Sequence, residues 1–129
     1  MSPLRRSSDR GSAAVEFVLV GVLLTALFLG VLQVVFTVHV RNVLVAAAAD
    51  GARYGANADR VPDDGAAYTR ALITHALGAR YAHAVTAGTD DADGTPVVVV
   101  RVHAPLPLIA ALVPVTTITV RGHALQEAP

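Results

Sequence analysis

A single carboxylate, Glu16, stands at the head of a membrane-length apolar run. The 24 residues from Phe17 to Val40 carry no charged side chain, and only Thr25, Gln33, Thr37 and His39 interrupt the aliphatic pattern. A helix of that length crosses a bilayer core of about 30 Å. An ionised group so close to hydrocarbon is costly without a partner, which makes Glu16 a candidate for pairing chemistry. Five residues earlier stands Gly11, in the stretch Arg10-Gly11-Ser12-Ala13-Ala14-Val15-Glu16-Phe17. A cut after Gly11 would make Glu16 the fifth residue of the new chain. The bland alternative is that Glu16 lies in the interfacial zone and reaches back to water.

Other chemistry is hard to assemble from this chain. With no Cys there is no disulfide or thiolate–metal site. No nucleophile–base pair, no carboxylate pair in a plausible cleft and no phosphate-cradling glycine loop stands out, so an enzyme is not expected. His75 and Tyr68, seven apart on one helix, read as surface residues. Asp90, Asp91 and Asp93 crowd one turn, but their spacing does not fit an EF-hand and no Glu closes the loop. His103 and His123 could become neighbours on paired strands, yet Arg101 and Arg121 beside them would repel a divalent cation. No metal, cofactor or small-molecule substrate is therefore expected. Ten Arg balance ten acids, the Arg residues are scattered and Lys is absent. Nucleic-acid binding is not indicated, and the Arg-only usage reads as codon bias.

The elements that must position Glu16 follow from periodicity and punctuation. Residues 1–10 read as a disordered basic leader. No Pro occurs between Leu4 and Val61, so one helix is predicted from about Ser12 to about Asn57, roughly 65–70 Å long. Val40, Val43, Leu44 and Ala47 recur at helical spacing, and Ala47, Gly51 and Gly55 follow at steps of four. Such a stripe of small residues admits another backbone, either a sister subunit or this chain's own C-terminal region. Asp59–Gly65 reads as a loop, and Ala66–Ala79 as a second helix with Leu72, Ile73, Ala76 and Leu77 on its apolar stripe. A short strand over Tyr81–Ala87 and a turn over Thr89–Gly94 follow.

Pro96–Ala104 alternates, with Val98, Val100 and Val102 toward a core and Val97, Val99, Arg101 and His103 on the other face. Leu106–Val113 is apolar but too short to span a bilayer as a helix. Val115–Leu125 reads as a second strand that pairs with the first, placing Arg101, His103, Arg121 and His123 on one surface. The fold class is α+β: a long N-terminal transmembrane helix continuing into a small domain with a second helix and an antiparallel sheet. The divisions are a leader over 1–11, a membrane helix over 12–40 and an exported domain over 41–129.

Arg5, Arg6 and Arg10 against Asp9 keep the N-terminus in the cytoplasm and send the C-terminal domain across the membrane. A cleavable secretory signal is the competing reading, but its apolar region is normally 7–15 residues and ends at a small-x-small site. The run here is longer, and no such site follows at normal distance.

The Gly11/Glu16 arrangement resembles the signal of type IV prepilins, and Phe17 after the Glu looks most like the tight-adherence (Tad/Flp) branch. Asp50-Gly51-Ala52-Arg53-Tyr54-Gly55-Ala56 is similar to the segment that follows the membrane helix in TadE-like proteins, where Glu more often stands in place of Asp50. Val97–Leu125 resembles that family's paired strands. The resemblance implies a pseudopilin of a Tad pilus assembly and secretion system with a pilin-like fold. A prepilin peptidase would cut between Gly11 and Ser12, and Glu16 and Phe17 would serve subunit assembly. The implied partners are the membrane bilayer, the peptidase and other pilin-like or Tad-system subunits. An anchored extracytoplasmic binding or adhesion module outside any pilus, with Leu106–Val113 as its contact surface, remains the alternative.

Overall fold

In the computed structural model, residues 7–106 and 117–128 are described. Helix α1 spans Ser7–Ala56, α2 spans Pro62–Leu77, and a 3₁₀ turn covers Ala79–Tyr81. Three strands follow, β1 over Ala84–Ala92, β2 over Thr95–Pro105 and β3 over Thr117–Leu125. The architecture is α+β, with a long apolar helix, a second helix and an antiparallel sheet. The chain divides into two compact units, Met1–Val35 and Phe36–Pro129.

In the first unit, α1 is apolar on every side and its aliphatic side chains are exposed apart from the half-buried Leu32. The helix is long and apolar enough to cross a membrane, and none of its most apolar stretch is buried in protein. Thr25 donates its hydroxyl to the Gly21 carbonyl at 2.8 Å, which satisfies a polar group within the helix itself. Helix is already present at residues 7–10, where the sequence suggested disorder. Asp9 in the first turn suits the positive end of the helix dipole, so the apolar helix propagates back into the polar segment.

The second unit packs helices on one face of the sheet. Val40, Leu44, Ala47, Ala48 and Ala52 of α1 are buried together with Ala66 and Ile73 of α2 and Val85, Val100, Val102, Ala104 and Val120 of the strands. Helix α2 starts four residues earlier than its pattern suggested. Pro62 occupies its first turn, where a missing N–H costs nothing. Asp64 Oδ2 accepts the Val61 amide at 3.1 Å while the Asp64 amide donates to the Val61 carbonyl at 3.0 Å. The buried face of α2 is Gly65, Ala66, Thr69 and Ile73; Ala76 is exposed. The helix stops at Gly78, whose φ of 103° lies in the left-handed region that favours glycine.

The sheet order is β1-β2-β3, all antiparallel. The strand expected at Tyr81–Ala87 runs instead over Ala84–Ala92, with Tyr81 buried in the 3₁₀ turn. The expected six-residue turn shrinks to two residues. Asp93 (φ 54°) and Gly94 (φ 83°) both take positive φ, as a tight primed hairpin turn requires. Val98, Val100 and Val102 face the core as expected. Their outward neighbours Val97 and Val99 are only 8% and 2% exposed. Because β2 is central, Val97 lies between Asp90 and Leu125, and Val99 between Gly88 and His123. The apolar stretch beyond Leu106 lies outside the described residues.

Candidate assembly site

Gly11, Ser12, Glu16 and Phe17 lie on α1, and all four are exposed. Ser12 and Glu16 are one turn apart, so they share a helix face. Phe17 is 81% exposed, and Val15 nearby is exposed as well. No ion pair or hydrogen bond involves Glu16 among the described residues. A Cβ built on Gly11 would meet nothing within 4 Å. The segment thus presents an exposed carboxylate on an apolar helix, together with a glycine that nothing among the described residues obliges to be one.

Gly51, Ala52, Arg53 and Tyr54 belong to the second unit and have structural roles there. A Cβ on Gly51 would overlap the Thr69 hydroxyl and sit 2.7 Å from the Gly65 carbonyl. A Cβ on Gly55 would sit 3.2 Å from the Gly65 backbone. The small stripe on α1 is therefore filled by this chain's own α2. Thr69 is fully buried, and its hydroxyl lies 2.8 Å from the Gly65 carbonyl and 3.3 Å from the Ala47 carbonyl. One buried proton shared this way ties the two helices together.

Ala52 is buried, and Arg53 donates to Asp50 at 2.9 Å on the surface. Tyr54 stacks on Tyr68 with centroids 4.5 Å apart and planes within 10°. The Arg60 guanidinium covers the Tyr54 ring at 4.6 Å. The sequence reading left Tyr68 as a plain surface residue and missed Gly65 and Thr69. The signal was there: Gly65, Thr69 and Ile73 step by four, as Ala47, Gly51 and Gly55 do.

On the outer face of the sheet, Arg101 is opposite Arg121. His103 is opposite Thr119, with Nδ1 2.8 Å from its hydroxyl, and His123 is opposite Val99. The register separates the two histidines. No group of three candidate metal ligands occurs among the described residues.

This geometry describes a bare apolar helix with one carboxylate at its head and a glycine-mediated lock farther along. Residues 11–53 match the model of the TadE-like protein family. The TadE-like segment begins at Gly11, contains Ser12, Glu16, Phe17 and Gly51, and ends at Arg53 inside α1. No curated protein and no solved structure matches the chain. The match covers the N-terminal third of the chain, and the TadE-like family is pilus-associated.

Proposed function

We propose that the protein is a minor pilin-like component, a pseudopilin, of a Tad/Flp pilus assembly and secretion system. A prepilin peptidase cuts between Gly11 and Ser12. The single observation that carries this reading is the TadE-like match, which starts at Gly11 and runs through an apolar helix left bare by its own protein. Cleavage creates an ammonium at Ser12. In the apolar surroundings of a bilayer, that amine on one subunit neutralises Glu16 on its neighbour. A desolvated pair of this kind fixes register even when it adds little net stability. Once the leader is gone, Glu16 also lies near the positive end of the helix dipole.

The chain is a single-pass membrane protein with its N-terminus in the cytoplasm. Arg5, Arg6 and Arg10 hold that end inside. A reporter active only outside the cytoplasm, fused after Pro129, is expected to be active; activity from a cytoplasm-only reporter alone would reverse the topology.

Intact-mass measurement of the membrane-extracted protein tests the cleavage. The expected species lacks residues 1–11, and Gly11→Val retains them. Space around Gly11 is open and valine is no worse than glycine in a helix, so the block reads the peptidase rather than the fold. A species beginning at Met1 or near Ala46 as the sole product refutes the reading.

A further inference from the structure

The two edges of the sheet are chemically unlike. Strand β1 is a guarded edge. The Arg70 guanidinium donates to the Val85 carbonyl at 2.9 Å, and Asp90 and Asp91 put charge on the far half. These are the usual devices against unwanted edge pairing. Strand β3 carries the charge of Arg121 but, among the described residues, no side chain that covers its backbone. It is terminal in the sheet, and no hydrogen bond reaches its outward backbone groups among the described residues. Its outer side chains include the exposed Arg121, which has no ion pair among the described residues. Pairing β3 with β3 would bring Arg121 of two copies together, and pairing β1 with β1 would bring their aspartates together. Like charges on neighbouring strands destabilise, so charge disfavours the symmetric dimers in the registers that set these groups opposite one another. The unlike edges are complementary: Asp90 is 4.0 Å from Arg101 of its own chain, and Arg121, set opposite that Arg101, gains a carboxylate from the second copy.

We infer that the β3 edge of one copy of this chain pairs with the Thr86–Ala92 portion of the β1 edge of a second copy, with Arg121 beside Asp90. Both strands are antiparallel to β2, so β1 and β3 run parallel. Within one chain Arg121 is level with Arg101 and Thr86, so a copy displaced sideways and by four residues along the strands, about 13 Å, forms a parallel ladder in this register. With Arg121 beside Asp90, Thr119 falls beside Gly88 and Thr117 beside Thr86. The last ladder bond, from the Thr117 amide, falls on the Val85 carbonyl, whose second lone pair accepts it beside Arg70. Each copy keeps one free edge of each kind. The association is head-to-tail and continues until it closes or runs on as a row. It stands apart from the cleavage reading, since two copies in one membrane pair whether or not residues 1–11 are removed.

The test uses the full chain in its membrane. The protein has no cysteine, so two can be placed without background. A Cβ at Gly88 meets nothing within 4 Å, and Thr119 is exposed. Within one chain these positions are separated by β2 and by four residues along the strands, since Gly88 is level with Val99 and His123, so they lie about 16 Å apart, too far for a disulfide. Mild oxidation of the Gly88→Cys/Thr119→Cys double variant is expected to give dimers, trimers and longer species. Each single variant alone stays monomeric, and the two mixed give a dimer. Arg121→Glu cuts the crosslinked yield about fivefold, and mixing an Arg121→Glu, Thr119→Cys copy with an Asp90→Arg, Gly88→Cys copy restores it. Repeating the oxidation in the Gly11→Val background gives the same ladder. A double variant that stays monomeric, a Thr119→Cys homodimer as the main product, or an Arg121→Glu ladder of unchanged yield overturns the inference.

Discussion

Helix α1 is one helix in two settings. Up to Val35 it belongs to the first unit and its aliphatic side chains are exposed apart from the half-buried Leu32. From Phe36 it belongs to the second unit, where Val40, Leu44, Ala47, Ala48, Ala52 and Ala56 are buried. Both stretches are rich in Leu, Val and Ala. They differ in pattern. The first is apolar all round and needs an apolar solvent. The second narrows to one stripe of small residues and needs a partner backbone. Hydrophobicity alone therefore does not say what a residue packs on. Its distribution around the helix does.

Identical substitutions on either side of that boundary should separate the two settings. The largest difference is expected for leucine truncation. Leu44 is fully buried, so Leu44→Ala should destabilise the second unit by about 2–5 kcal/mol. Leu24 is 59% exposed, and Leu24→Ala should change that unit's stability by less than about 0.5 kcal/mol. Thermal unfolding in detergent reads both, at about 4–8 °C per kcal/mol for a domain of this size. Equal shifts would erase the distinction.

Glycine gives the next contrast. Gly51→Val drives a side chain into Thr69 and the Gly65 carbonyl, an overpacking worth about 1–3 kcal/mol or more. A Cβ at Gly30 meets nothing within 4 Å, so Gly30→Val should leave the melting temperature unchanged. A silent Gly51→Val would mean that α2 does not sit against α1 as described. A smaller effect belongs to Thr69→Val, which keeps the shape and removes the shared proton. About 1 kcal/mol should be lost, measured by denaturant midpoint at constant slope.

The smallest effect on stability is expected at Glu16. It has no ion pair or hydrogen bond among the described residues, so Glu16→Ala should fold, accumulate and be cleaved normally. What it should lose is crosslinking to pilin-like partners in cells. Unchanged partner yield with correct cleavage would make Glu16 an interfacial residue that only reaches for water.

Much of this was legible before any coordinates. The uncharged run after Glu16, the absence of Pro up to Val61 and the alternation of Val98, Val100 and Val102 are local patterns, and local patterns report helix, strand and buried face directly. The same logic erred where punctuation was ambiguous. Pro62 read as part of a loop although it is an ideal first-turn residue. Three aspartates before Gly94 read as one broad turn, although only Asp93 and Gly94 adopt positive φ and the rest continue β1.

The amino-acid sequence by itself determined an apolar helix of membrane length, its lone carboxylate, the preceding glycine and the α+β class, because each depends on composition or spacing within a few turns of chain. Tertiary structure decided the partners. It set Gly51 and Gly55 against Gly65 rather than leaving them open, paired Tyr54 with Tyr68, buried Val99 on the outward face of a central strand and put β3 at the end of the sheet among the described residues. Small residues and strand edges carry no sign of what lies against them. That depends on which distant segment the packed chain brings to the same place.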